Sequence, residues 1–175
     1  WAEERKLATV VFADMVGFSD ISNDLEPDAV RELANAFFEP LSREVEREGG
    51  TVMKYVGDGV MAAFGVPTAH EDDAARAVRA ALAMAGRVRE IARERNHEVA
   101  LRVGINTGLV MVGTVGAGTR ASADIMGATV NVASRIQASA QPGDVLVGLA
   151  TQRLVHDSFE LDGVPALRVK GVAEP

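Results

Sequence analysis

The chain has 175 residues, 47% of them hydrophobic and 25% charged, with a formal net charge of −7. That size and balance describe one globular domain with a sizeable core, and the acidity argues against a nucleic-acid-binding surface. The absence of cysteine excludes disulfides and thiolate metal centres, and no apolar run reaches the roughly 20 residues that span a bilayer.

In chain order, residues 7–13 read as a buried strand that ends at Asp14 and enters the turn Val16-Gly17-Phe18-Ser19. Residues 27–48 read as a helix, because Val30, Leu33, Ala34, Phe37, Leu41 and Val45 fall on one stripe and Gly49-Gly50 ends it. A hairpin follows over 54–64, folded at Gly57-Asp58-Gly59. Glu71-Asp72-Asp73 suits the positive end of a long helix, whose apolar face carries Ala74, Ala77, Val78, Ala81, Ala85, Val88 and Ala92. Residues 100–106 and 109–115 read as a second hairpin turning near Thr107-Gly108. A short helix over 129–140 and a short strand over 145–147 complete the pattern. The order predicts an α+β fold with a ferredoxin-like βαββαβ core, helices on one face of the sheet, and extra C-terminal strands and helices.

In that topology the first strand neighbours the hairpin, which brings Asp14 and Asp58 together. Carboxylates delivered to glycine turns suit hard divalent cations, and two such turns side by side suit two-metal phosphoryl transfer. Taken alone, Asp58 reads equally as the Asp-Gly of a hairpin and Asp14 as a turn or cap residue. Asn131 and Arg135 stand four apart on a helix and share a face. His70, His97 and His156 lack metal-ligand spacing and read as surface residues; Phe37, Phe38 and Met84 read as core or interface.

Three motifs occur in order: Phe12-Ala13-Asp14-Met15-Val16-Gly17-Phe18-Ser19, Lys54-Tyr55-Val56-Gly57-Asp58-Gly59, and Gly127-Ala128-Thr129-Val130-Asn131-Val132-Ala133-Ser134-Arg135. With them the chain resembles the catalytic domain of class III nucleotidyl cyclases, the adenylate and guanylate cyclases, from Arg5 to Val169-Lys170-Gly171. The resemblance implies a head-to-tail homodimer that converts a nucleoside triphosphate into a 3′,5′-cyclic monophosphate and pyrophosphate at the subunit interface. It implies two Mg²⁺ or Mn²⁺ ions held by Asp14, Asp58 and the Met15 carbonyl, with the backbone amides of Val16, Gly17, Phe18 and Ser19 facing phosphate. Asn131 would orient the ribose and Arg135 would stabilise charge on the α-phosphoryl oxygens, both from the opposite chain. Lys170 falls where a lysine would approach the triphosphate.

Lys54 and Asp124 fall where the family reads the purine. An ammonium only donates and adenine N1 only accepts, whereas an ionised carboxylate accepts from the adenine N6 amine; guanine reverses both edges. The expectation is an ATP-specific adenylate cyclase. The alternatives are the same chemistry on GTP, or a degenerate domain kept for nucleotide binding or dimerisation. The sequence departs from the family pattern at Gly127-Ala128, where Gly-Asp is common, and stops before the family's last strand is complete. A single domain over 1–175, cut from a longer chain, with no leader before the first strand and a cytoplasmic setting, is the expected context.

Overall fold

A computed structural model describes residues 4–115 and 122–163. The elements in chain order are β1 (Glu4–Val16), α1 (Phe18–Ser22), α2 (Pro27–Arg47), β2 (Thr51–Val56), β3 (Gly59–Phe64), α3 (Asp73–Glu94) and β4 (Ala100–Val115). They are followed by β5 (Ser122–Met126), α4 (Ala128–Ser139), β6 (Val145–Val147) and α5 (Leu149–Val155). The sheet order is β2-β3-β1-β4-β5, all antiparallel, with β6 parallel to β4. The expected βαββαβ core is present as β1, α2, β2, β3, α3 and β4.

Strand alternation in β1 sorts the chain into two layers. Val11, Ala13 and Met15 join the cluster under α2 and α3, which contains Phe37, Leu41, Phe64 and Met84. Phe37 is fully buried, so truncating it to alanine costs about 3–5 kcal/mol. Ala8 and Val10 point the other way, into a second cluster with Met61 and Ala63 of β3, Val110 and Val112 of β4, Ile125 of β5 and Ala133 of α4. Helices therefore cover both faces: α2 and α3 pack on one, and α4 on the other.

The structure corrects one expectation about the strands. Residues 100–115 form a single strand, with no hairpin at Thr107-Gly108. β1 and β4 pair without a break from Glu4↔Val112 to Val16↔Ala100, so Thr107 lies opposite Thr9 and Gly108 opposite Ala8. Gly108 serves packing rather than turning: a Cβ there would stand 2.5 Å from Thr129 Oγ1, whose hydroxyl donates to the Leu109 carbonyl at 2.7 Å. β4 instead pairs antiparallel with β5, and residues 122–126, for which the sequence pattern gives no element, are strand.

Two contacts tie the remaining elements to the sheet. Thr9, Thr107 and Thr151 are buried and linked hydroxyl to hydroxyl at 3.0 and 2.8 Å, which fastens α5 to β4 and β1. Arg95, at the end of α3, grips Glu32 of α2 through both terminal nitrogens at 2.9 and 3.2 Å. No helix among the described residues is long and apolar enough to cross a membrane.

Candidate active site

Asp14 comes late in β1, opposite Gly59 of β3 and Arg102 of β4. The Met15 amide donates to the Asp58 carbonyl at 3.1 Å, so the β2–β3 turn is fastened beside the end of β1. Gly59 is needed there, because a Cβ would run into the Ala13 carbonyl and approach Asp14 Oδ1 at 3.1 Å. Asp14 and Asp58 therefore share one corner of the sheet, as the topology predicts.

After Asp14 the chain turns through Gly17, whose φ of +94° suits glycine, and a Cβ at this position would collide with the Glu98 carbonyl. Phe18 opens α1 and buries its ring edge-on against Phe37, with centroids 6.1 Å apart. Met15 is also a core side chain. Only backbone atoms of these two residues remain for a ligand. Ser19 donates from its hydroxyl to Asp58 Oδ2 at 2.5 Å.

Among the described residues no three or more His, Asp or Glu side chains gather into a cluster. The chain thus offers a hard cation two carboxylates and a backbone carbonyl. This donor set fits Mg²⁺ or Mn²⁺, which keep water and substrate phosphate as their other ligands.

Lys54 and Asp124 come from β2 and β5, the two ends of the sheet order, yet Lys54 Nζ donates to Asp124 Oδ2 at 3.1 Å. The β4–β5 arm curls across the sheet: Ile125 packs in the same apolar cluster as Met61, with Met53 against it. A bulge between Val52 and Lys54 sets Lys54 opposite Met61, toward this layer. The pair is partly open to solvent, with Lys54 47% and Asp124 21% exposed. Asp124 Oδ1 also accepts from the Ile125 amide at 2.8 Å, which fixes the carboxylate plane.

Asn131 and Arg135 lie on α4. Gly104 lets this helix rest on β4 backbone to backbone, because a Cβ there would strike the Gln137 amide. Among the described residues no hydrogen bond or ion pair joins Asn131 or Arg135 to Asp14 or Asp58. α4 is capped by Gly127, which has no side chain to offer, and with alanine at position 128 it has no acidic residue in its first turn. Lys170 lies outside the described residues.

Arg102 was not singled out from the sequence. Its terminal nitrogen stands 3.6 Å from Asp14 Oδ2, and its Nε is buried without a partner among the described residues. The available signal was an arginine alternating with apolar residues in Leu101-Arg102-Val103, but only the register with β1 places it on Asp14. A cavity of about 580 Å³ lined by Asn35, Phe38, Glu39, Ser42 and Tyr55 lies between α2 and β2 and includes none of the expected site residues.

The sequence profile described as the adenylate and guanylate cyclase catalytic domain matches residues 2–175. An adenylate cyclase of Mycobacterium bovis is 31% identical over 170 residues, which cover 97% of this chain and 38% of that protein. The adenylyl cyclase CyaB from P. aeruginosa superposes with a TM-score of 0.94 at 34% identity, covering 100% of this chain and 93% of that one. The guanylyl cyclase Cya2 gives 0.91 at 30% identity, covering 98% and 89%. A cyclase fold over the described residues, with a carboxylate pair at one sheet corner and a lysine–aspartate pair under the arm, thus coincides with a family match along almost the whole sequence: the chain belongs to the adenylate and guanylate cyclase catalytic domains.

Proposed function

We propose that the chain is an adenylate cyclase catalytic domain that converts ATP into 3′,5′-cyclic AMP and pyrophosphate at sites shared between two copies. The observation that carries the adenine assignment is the Lys54–Asp124 pair at 3.1 Å. Lys54 has three donors and spends one on Asp124, so another is free for adenine N1. Each Asp124 oxygen already accepts one bond and retains a lone pair for the N6 amine. Guanine would oppose donor to donor and acceptor to acceptor, and sites that mispair polar groups discriminate strongly.

Asp14, Asp58 and the Met15 carbonyl are the residues that would hold divalent cations. Two bound ions would lower the pKa of the ribose 3′-hydroxyl and offset the triphosphate charge. Val16, Gly17, Phe18 and Ser19 offer backbone amides beside them, and Asn131 orients the ribose. The Arg135 guanidinium meets charge on the α-phosphoryl oxygens as the 3′-oxygen attacks in line, and the loss of such a contact costs ~10²–10³ in turnover. Lys170 would approach the triphosphate from the C-terminal segment. Two supports favour sharing between copies: among the described residues no hydrogen bond or ion pair joins Asn131 or Arg135 to Asp14 or Asp58, and the cavity between α2 and β2 includes none of them.

The test is product formation from ATP and GTP with Mg²⁺ or Mn²⁺ over a range of protein concentrations, together with mixing of two inactive variants. Cyclic AMP from ATP, with specific activity rising with concentration, is expected. Asp14→Ala and Arg135→Ala should each be inactive and should regain activity when mixed, through one intact site per heterodimer. Equal turnover of GTP would overturn the purine assignment. No recovery in heterodimers shown to form would overturn the shared site, and no cyclic product with Mn²⁺ at high concentration would overturn catalysis.

A further inference from the structure

We propose that Arg102 and Ser19 are positioning residues that occupy the two metal carboxylates in the nucleotide-free protein and keep divalent-cation affinity low until a triphosphate takes over their donors. The proposal rests on the metal-pair reading of Asp14 and Asp58.

Each carboxylate already has a partner from its own chain. Arg102 faces Asp14 across the β1–β4 ladder, so the sheet itself fixes the two side chains opposite each other. The guanidinium stands 3.6 Å from Asp14 Oδ2, while the Ser19 hydroxyl donates to Asp58 Oδ2 at 2.5 Å. A cation arriving alone meets a positive charge beside one ligand and must displace a charge-assisted hydrogen bond from the other.

Arg102 is also left unsatisfied by this arrangement. A separation of 3.6 Å exceeds hydrogen-bond length, and its buried Nε has no acceptor among the described residues. A guanidinium with unused donors is matched to phosphate oxygens, which accept in a fork. Ser19 lies in the turn that follows Asp14, within the same corner. A nucleotide triphosphate brings acceptors for both groups, and their transfer to phosphate frees Asp14 and Asp58 to ligate cations. Cation and nucleotide then promote each other's binding by the same factor.

The experiment is an Mn²⁺ titration of the intact chain followed by electron paramagnetic resonance, without nucleotide and then with the non-cyclisable α,β-methylene analogue of ATP. Arg102→Gln should tighten nucleotide-free Mn²⁺ binding roughly fivefold, the size expected for removing a charge at this distance in a largely water-screened setting. Arg102→Lys should keep the wild-type affinity, because it keeps the charge. Ser19→Ala, an exposed change that spares the fold, should tighten binding roughly twofold to threefold. In Arg102→Gln the analogue's enhancement of Mn²⁺ binding should shrink severalfold. Unchanged or weaker Mn²⁺ binding in both Arg102→Gln and Ser19→Ala, while Asp14→Asn loses it, overturns the placeholder role alone. Mn²⁺ binding that survives Asp14→Asn overturns the metal pair and the placeholder together.

Discussion

Gly104→Ala and Gly86→Ala are the same chemical change with opposite expected outcomes. At Gly104 a new methyl would stand 2.6 Å from Gln137 Cα and 2.7 Å from the Ala133 carbonyl oxygen, where ordinary contact begins near 3.4 Å. The Gln137 amide nitrogen is nearer still, so α4 must retreat by about 1 Å, an overpacking that costs about 1–3 kcal/mol. At this chain length each kcal/mol moves Tm by about 2–4 °C, so the fall should lie between about 2 and 12 °C. Asn131 and Arg135 ride on α4, and a misplacement of ~1 Å can cost on the order of 100-fold in turnover. Gly86 lies within α3, and a Cβ there meets none of the described residues within 4 Å. Alanine's helix preference should add about 1 kcal/mol and raise Tm by about 2–4 °C. Differential scanning calorimetry and cyclic AMP formation with Mn²⁺ would measure both effects. Wild-type Tm and turnover in Gly104→Ala would refute the placement of α4 by backbone contact.

Two further predictions concern stability. Arg95, hydrogen-bonded to Glu32, holds that carboxyl below its usual range, so the pair stabilises the fold above the ordinary carboxylate pKa of about 4.3 and ceases to as pH falls through the lowered value. Glu32→Gln should lower Tm slightly at pH 7, with the difference from wild type closing once the pH has fallen below the lowered carboxyl range; a gap that persists in strong acid would contradict the ion pair. Thr107→Val keeps the shape of the buried hydroxyl chain but removes its middle link, leaving the buried Thr9 and Thr151 hydroxyls without it. Urea unfolding should register a loss of about 1–3 kcal/mol, and no loss would mean that the chain contributes nothing.

The helices and the first hairpin were legible because their signals are local. The apolar stripe of 27–47, the acidic start at Asp72-Asp73 and the Gly57-Asp58-Gly59 turn each declare themselves within a few residues. The misread turn at Thr107-Gly108 shows the limit. A glycine inside an apolar run marks either a bend or a close approach, and only the helix above it, with Thr129 against Gly108, decides between them. The short helices α1 and α5 were not expected, since neither is long enough to show a period. Of the candidate site, Asp14 and Asp58 could be placed together from topology alone. The Lys54–Asp124 contact and the position of Arg102 depend on the curl of the arm and on strand register, which no local pattern encodes.

The unbroken β1–β4 ladder also has a consequence for synthesis. Asp14 is delivered within the first strand, but its cross-strand neighbour Arg102 lies about half the chain further on, and the ladder closes only at Val112. Contacts so distant in sequence form slowly, because a long loop must close before they can repay its entropy. A nascent chain that has emerged only through α3 carries both Asp14 and Asp58 yet lacks β4, the strand that completes their corner. The corner that holds Asp14 and Asp58 thus cannot mature until more than half of the chain has been made, and a ribosome-bound intermediate should be inert toward nucleotide at least until β4 has left the exit tunnel.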